Sequence, residues 1–278
     1  MKLVLPLGTC RIYRPLCAYH QEADGKRTLV DNVQPGIRVV YPRLGFFHCS
    51  GEVRQALRIL KGELVVPAEE CRLVFRKEPP PTTPHNEFYD AITRAIQTGV
   101  PPDLRLAELP AIDVFLVEIC SLTRQRSRRS GLCYVANPNL YKPGVAYADF
   151  GAEGFYAKFA PELDVEVGQE ELTEVEDNVA AILALCAPRP VIFTSHFNHP
   201  GFRSATRARV RELLREAVAR RGGTYYENEH LLAKHGFKKN PDGSQDIHHL
   251  TREGELEHGR ELQALILEVL ERSESTSR

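Results

Sequence analysis

The stretch KLVLPL at residues 2–7 is almost entirely apolar, and the tetrapeptide GTCR at residues 8–11 follows it directly. A short apolar run that ends at a turn residue is typical of a strand buried on both faces of a parallel sheet. We therefore predict a strand over Lys2–Leu7. Cys10 then lies just beyond its carboxyl end, which is where the active sites of such sheets are found.

Four further segments repeat this pattern, and amphipathic stretches separate them. The other predicted strands are Ile37–Tyr41, Ile112–Ile119, Val191–Ser195 and Thr224–Tyr226. The predicted helices are Glu52–Lys61, Asn86–Gln97, Glu171–Leu185, Ala205–Arg220 and Arg252–Arg272. Strands that alternate with helices predict a three-layer α/β/α sandwich with a mainly parallel five-stranded sheet. We expect a single domain over residues 1–272, a lid-like insertion at about 123–167 and a disordered tail at 273–278.

Composition and charge limit the partners and the compartment. The formal net charge is −1, which provides no general attraction to nucleic acid or to an anionic membrane. The sequence shows no apolar run long enough to span a bilayer and no signal-peptide pattern. Its seven cysteines include no CxxC pair, so we expect reduced thiols. These features predict a cytoplasmic protein that binds neither nucleic acid nor a membrane.

The first candidate for chemistry is Cys10. A thiol at a strand-to-helix turn lies near backbone N–H groups and a helix amino terminus, both of which favour the thiolate. Arg11 adds a positive charge, and Gly8 permits a tight turn. The alternative interpretation of these residues alone is a small, buried structural cysteine.

The second candidate is the motif DIHH at residues 246–249, just before the last predicted helix. We expect Asp246 and His249 to lie on a loop, where a three-residue step brings carboxylate and imidazole together. A carboxylate at Nδ1 fixes the tautomer of the ring and leaves Nε2 to take a proton from a nucleophile. Such a spacing also occurs by chance, with Asp246 as a turn residue and His249 as a structural histidine.

Together, the two motifs resemble the SGNH, or GDSL-type, hydrolase superfamily. Gly8-Thr9-Cys10 stands where that family has Gly-Asp-Ser, and residues 246–254, with Asp246, His249 and Gly254, are similar to its last block. The cysteine resembles the GSCFA group and the capsular-polysaccharide acetyltransferase relatives of this fold. The resemblance implies acyl transfer or ester hydrolysis, with Cys10 as nucleophile, His249 as general base and acid, and Asp246 orienting His249. It also implies a small-molecule or carbohydrate acceptor.

Donors for an oxyanion are expected near Cys10, although the family's Gly-x-Asn-Asp block is absent. The candidates are the N–H group of Cys10, a backbone N–H at Ser50 or Gly51, and the Asn198 amide. Arg11 is a further candidate for contact with the substrate. Losing one such donor typically costs about 10²–10³ in rate.

A run of arginines after the third predicted strand comprises Arg124, Arg126, Arg128 and Arg129. Arginine binds phosphate through a planar fork of N–H donors. We expect Arg126, Arg128 and Arg129 to face the ligand and to bind a phosphate group, as in coenzyme A or another acyl thioester. No cofactor is required by the proposed chemistry. The alternative is an ordinary solvated loop.

Two other functions remain open from the sequence. Histidines are frequent in the carboxy-terminal third, and His196, His199, Asp246 and His249 are candidate ligands of a metal-dependent hydrolase. Their spacing matches no established zinc motif. The other possibility is a non-catalytic binding protein on the same fold, with the arginine run as its ligand site.

Overall fold

A computed structural model describes residues 1–21, 27–30, 34–40, 44, 47–75, 87–134, 165–198, 204–240 and 242–276. Three sequence predictions fall on residues outside these ranges. They are most of the expected insertion at 123–167, the candidate ligand His199, and the last two residues of the tail. The statements below apply to the described residues.

Five parallel strands form the central sheet, as predicted. They are β1 (Lys2–Leu7), β4 (Ile37–Val39), β5 (Val114–Ile119), β8 (Val191–Ser195) and β9 (Thr224–Tyr225). Their order across the sheet is β4-β1-β5-β8-β9. The register pairs Val4 with Val114, and Val117 with Phe193. All six residues of β5 are buried, because helices cover both faces of the sheet at its centre.

The remaining strands form three antiparallel pairs. They are β2 (Ala18–Gln21) with β3 (Arg27–Val30), β6 (Thr123–Ser127) with β7 (Val165–Gln169), and β10 (Phe237–Lys239) with β11 (Gln245–Leu250). The β6–β7 pair includes both ends of the segment that was predicted as a lid-like insertion. The backbones at the two ends of the insertion are therefore hydrogen-bonded to each other.

The helices agree closely with the predicted ones. They are α1 (Cys10–Tyr13), α2 (Ser50–Leu60), α3 (Cys71–Val74), α4 (Glu87–Thr98), α5 (Leu172–Cys186), α6 (Ser204–Arg220), α7 (Glu229–His235) and α8 (Arg252–Thr276). Helix α8 continues to Thr276, beyond the predicted end at Arg272. The hydroxyls of Ser273 and Ser275 donate to carbonyls four residues earlier, within the tail that was expected to be disordered.

Alternate residues of each central strand pack into different layers. Leu5 of β1 and Phe115 of β5 join the core beneath α2, α5 and α6. Val4 and Val114, their neighbours along the same strands, join the core beneath α1 and α8. The two separate cores confirm the α/β/α sandwich, since side chains alternate between the faces of a strand.

Carboxyl ends of neighbouring strands meet at one edge of the sheet. Cys10 follows β1, Cys120 follows β5 and His196 follows β8. The segment before α2 also reaches this edge, because the carbonyl of His48 accepts hydrogen bonds from the N–H groups of Cys120 and Ser121. These contacts place the predicted cysteine among polar residues from distant parts of the chain.

Candidate active site

Cys10, His249 and Asp246 lie together, as their motifs predict. Cys10 Sγ is 3.1 Å from His249 Nε2, and His249 Nδ1 is 2.8 Å from Asp246 Oδ2. A carboxylate only accepts hydrogen bonds, so the Nδ1–H group of the ring donates to Asp246. The lone pair of Nε2 then faces the thiol of Cys10. Cys10 itself is partly exposed at the start of α1.

The prediction that Asp246 and His249 lie on a loop was wrong, because both residues lie on strand β11. In a regular strand, residues three apart point to opposite faces. Here Phe237 pairs with Leu250 and Lys239 pairs with Gln245, so five steps along β11 oppose two along β10. The extra residues bulge, and Asp246 Oδ1 accepts a hydrogen bond of 3.0 Å from the N–H of His248. The bulge brings carboxylate and imidazole to the same side.

Burial tunes the protonation states of this pair. It lowers the pKa of His249, and the charge of Arg14 lowers it further, against the opposing effect of Asp246. The ring is therefore neutral at neutral pH and able to accept a proton. Burial alone would raise the pKa of Asp246, but hydrogen bonds from His249 and from the His248 N–H hold it below its usual value. Asp246 stays ionised.

Glu118 organises the turn that carries Cys10, a role that the sequence analysis missed. This carboxylate is 1% exposed at the end of β5. It accepts hydrogen bonds from the N–H of Thr9 at 2.9 Å, the hydroxyl of Thr9 at 2.5 Å and Arg11 Nε at 2.6 Å. Burial would raise the pKa of Glu118, but Arg11 and Thr9 lower it overall. Glu118 and Arg11 thus form a buried ion pair beside the candidate nucleophile.

Gly8 is required by the same arrangement. A Cβ atom at this position would lie 2.6 Å from the Cβ of Glu118. Real side chains do not approach so closely, so any larger residue would push β1 and β5 apart. The signals available in the sequence were the glycine before Cys10 and a carboxylate inside the apolar strand VFLVEI.

Arg11 was a candidate for contact with the substrate, but its Nε–H group donates to Glu118. Its side chain is 8% exposed, and its Nη2 atom is buried without a hydrogen-bond partner in the described part of the chain. The guanidinium lies close enough to Cys10 for their charges to interact, because Cys10 raises the pKa of Arg11. A nearby cation favours a thiolate over a thiol.

Ser50 and Gly51 do not supply the expected oxyanion donors. Their N–H groups donate to the buried carboxylate of Glu170, at 3.1 Å and 2.8 Å, and the Ser50 hydroxyl donates to it at 2.7 Å. Glu170 follows β7 and thereby caps helix α2 from a distant part of the chain. Helix α2 therefore begins at Ser50, two residues before the predicted start at Glu52.

Asn198 has other partners than the candidate nucleophile. Its N–H group lies 3.1–3.2 Å from both carboxylate oxygens of Glu229. Its side-chain Oδ1 is buried, and the described residues offer it no hydrogen-bond donor. No contact among the described residues joins Asn198 to Cys10 or His249.

The arginine run divides into two parts. Arg124 pairs with Glu166 and Glu174, and Arg126 pairs with Glu174 at 3.1 Å. Arg128 and Arg129 are exposed in the turn after β6. The acidic partners therefore come from β7 and α5 of the same chain. Of the four arginines, Arg126 also lines a cavity beside α2.

The histidines that suggested a metal site do not form one in the part of the chain described. Within those residues, no three His, Cys, Asp or Glu side chains are placed to hold an ion. His196 Nδ1 instead donates to the carbonyl of Phe197 at 2.8 Å. The ring of His196 lies 5.7 Å from that of His248. Burial lowers the pKa of both rings, that of His248 to about 4, so both are neutral.

Five other thiols differ sharply from Cys10 in their surroundings. Burial raises the pKa of Cys71 to about 11 and those of Cys120, Cys133 and Cys186 to about 12, and it raises that of Cys49 as well. Cys17, the sixth, is buried. At neutral pH, such thiols carry very little thiolate.

We therefore expect brief treatment with iodoacetamide at neutral pH to alkylate Cys10 well before the other six cysteines. The thiolate is the reactive species, and Cys10 combines exposure with an adjacent histidine and arginine. Peptide mapping by mass spectrometry measures the order of labelling. The most informative internal control is Cys120, which also lies near Arg11 but whose thiol pKa burial raises to about 12. Equal labelling of Cys10 and Cys120 would contradict the prediction.

Comparison with known families finds a similarity over the first part of the chain. Residues 2–132 match the model of the TviD N-terminal domain, a domain related to the biosynthesis of the Vi capsular polysaccharide. The matched part contains Cys10 and Glu118 but not Asp246 or His249. Neither a curated protein nor a solved structure gives a significant match. The described residues include no helix that is long and apolar enough to cross a membrane. The amino-terminal half of this chain is thus similar to a domain of capsular-polysaccharide biosynthesis.

Proposed function

We propose that this protein is an O-acyltransferase of the SGNH type that uses Cys10 as a covalent nucleophile and modifies a hydroxyl group of a polysaccharide. The observation that carries the proposal is the continuous chain of contacts from Cys10 Sγ through His249 to Asp246. A nucleophile, a base within hydrogen-bonding reach and a group that orients the base constitute the general arrangement for covalent acyl transfer. The similarity to the TviD N-terminal domain supports a polysaccharide as the acceptor.

In the first half-reaction, His249 Nε2 accepts the thiol proton of Cys10, and the thiolate attacks the carbonyl carbon of an ester or thioester. The C–O or C–S bond to the leaving group then breaks, and the leaving group takes the proton from His249. Asp246 stabilises the imidazolium form and keeps the ring oriented. The product is an acyl group attached to Cys10 Sγ.

In the second half-reaction, His249 removes a proton from the acceptor hydroxyl, whose oxygen attacks the thioester carbon. The bond to Cys10 Sγ breaks, and the proton returns from His249 to the thiolate. A thioester donor suits this cycle because its leaving thiolate and the attacking thiolate are of similar basicity. Water in place of the acceptor would give hydrolysis.

The proposal is tested by trapping the acyl-enzyme. Incubation with acetyl-coenzyme A or p-nitrophenyl acetate, followed by an acid quench, should add one acetyl group to the peptide that contains Cys10. Mass spectrometry of the intact chain and of its peptides measures the addition. Treatment with hydroxylamine should remove the group, as expected for a thioester. Acetylation of lysines alone, with Cys10 unmodified, would refute covalent catalysis by this residue.

A further inference from the structure

A second site is indicated by a cavity of about 270 Å³ on the outer side of helix α2. One wall is a face of α2, with Gly51, Arg54, Gln55 and Arg58 at helical spacing. The opposite wall comprises Arg126 at the end of β6 and the turn that follows it. Among the described residues, the lining of this cavity contains three arginines and no carboxylate.

The charges around this cavity are unbalanced. Arg126 is offset by Glu174, with which it forms an ion pair. Arg54 donates to the neutral amide oxygen of Asn178 at 3.2 Å, and Arg58 forms no ion pair with any described residue. Arg54 and Arg58 are four residues apart, so their Cβ atoms lie about 5–6 Å apart on one helix face, where like charges repel. An anion in the cavity would offset both charges.

The walls are held in place without a ligand. The side-chain amide of Gln55 donates to the carbonyl of Cys133 at 2.9 Å and accepts from its N–H at 2.7 Å. This double hydrogen bond joins α2 to the turn after β6. Asn178 connects the same helix to α5, since it accepts from Arg54 and donates to the hydroxyl of Ser50 at 3.0 Å. Preformed walls reduce the entropy cost of binding.

We propose that this cavity binds the diphosphate group of an acyl donor, with Arg54 and Arg58 as its principal contacts and Arg126 as a third. Two guanidinium groups one turn apart, neither of them in an ion pair with a described residue, match a ligand with at least two negative charges better than a single carboxylate. The inference rests on the proposed function, because it takes the bound diphosphate to be part of the acyl donor. Compared with the sequence prediction, it replaces Arg128 and Arg129 with two arginines of α2.

The test is calorimetric titration of the full chain with three separate probes. Pyrophosphate and coenzyme A both contain a diphosphate, whereas galacturonate is a sugar with a single carboxylate. The double variant Arg54→Gln/Arg58→Gln should bind pyrophosphate and coenzyme A at least about tenfold more weakly, and the difference should shrink as salt rises. The matched control is Arg209→Gln on α6, an exposed arginine that pairs with Glu212, and it should bind as the wild type does. Thermal unfolding followed by circular dichroism verifies that each variant folds.

Two results would overturn the inference. Unchanged affinity for pyrophosphate in the folded double variant would exclude this cavity as the site. Galacturonate binding as tight as that of pyrophosphate would exclude a diphosphate as its ligand. The proposed function fails separately: a Cys10 that is never acylated, in a chain that still binds pyrophosphate through Arg54 and Arg58, would refute acyl transfer and leave the anion site in place.

Discussion

Replacing Cys10 with alanine is expected to abolish the acyl-enzyme and to lower kcat/KM for acyl transfer on the order of 10⁴-fold, because no other nucleophile adjoins His249 in the described site. His249→Ala and Asp246→Asn should each cost on the order of 10³–10⁴-fold, since the first removes the base and the second removes the negative charge and can turn an amide N–H donor towards Nδ1, which favours the wrong tautomer. Steady-state kinetics and intact-mass analysis measure these losses.

The matched control for Cys10→Ala is Cys120→Ala. Both residues are partly exposed cysteines at the carboxyl ends of adjacent parallel strands, but only Cys10 contacts His249. The Cys120 variant should retain acylation at Cys10 and most of the transfer rate. Losses in the three variants of the triad should also fail to add, because the three groups act as one unit. Independent, additive losses would contradict a triad, and so would full activity in Cys10→Ala.

Replacing Glu118 with glutamine is expected to destabilise the fold by about 3–5 kcal/mol, because it leaves the buried guanidinium of Arg11 without a counter-charge. The Glu118 and Arg11 side chains are 1% and 8% exposed, so water cannot compensate for the loss. Urea denaturation measures the change in the free energy of unfolding. An exposed ion pair of the same kind joins Arg105 to Asp103, and Asp103→Asn should leave the free energy of unfolding nearly unchanged, because water solvates both groups.

A second variant separates stability from the positioning of Cys10. The double substitution Arg11→Met/Glu118→Leu replaces the ion pair by apolar side chains and should recover much of the lost stability. It removes the acceptor for Thr9 and the charge beside Cys10, so the rate of alkylation at Cys10 should fall below that of the wild type. If the double variant is alkylated at Cys10 as fast as the wild type, Glu118 has only a structural role.

The fold was predictable because its determinants are local. Each central strand is a short apolar run, and each long helix has apolar residues at helical spacing, so burial alone assigns them to a sheet and to its covering layers. The strands Lys2–Leu7 and Val191–Ser195 were predicted with their observed bounds. Helix ends were less accurate where a distant residue determines them, as Glu170 does for α2.

The candidate triad was predictable for a different reason. Cys10 follows a predictable strand of the parallel sheet, whose topology places it at the carboxyl edge. The motif of Asp246 and His249 was recognised from its spacing and from its position before a predictable helix, although it lies on β11, outside that sheet. The sequence also determined which residue types were present for acyl chemistry. It did not determine their backbone, since the bulge in β11 depends on pairing with β10.

Only the tertiary structure decided which charges are neutralised within the chain. Glu118 lies 107 residues from Arg11, and Glu170 lies 119 residues from Gly51. Partners so far apart leave no periodic pattern, because their contact is created by the packing of the sheet and not by any local repeat. For the same reason, the pairing of Arg126, which was expected to face a ligand, with Glu174 of α5 could not be inferred from the sequence. Local sequence therefore determined the layers and indicated the candidate triad, and long-range packing determined which charges beside it are neutralised within the chain.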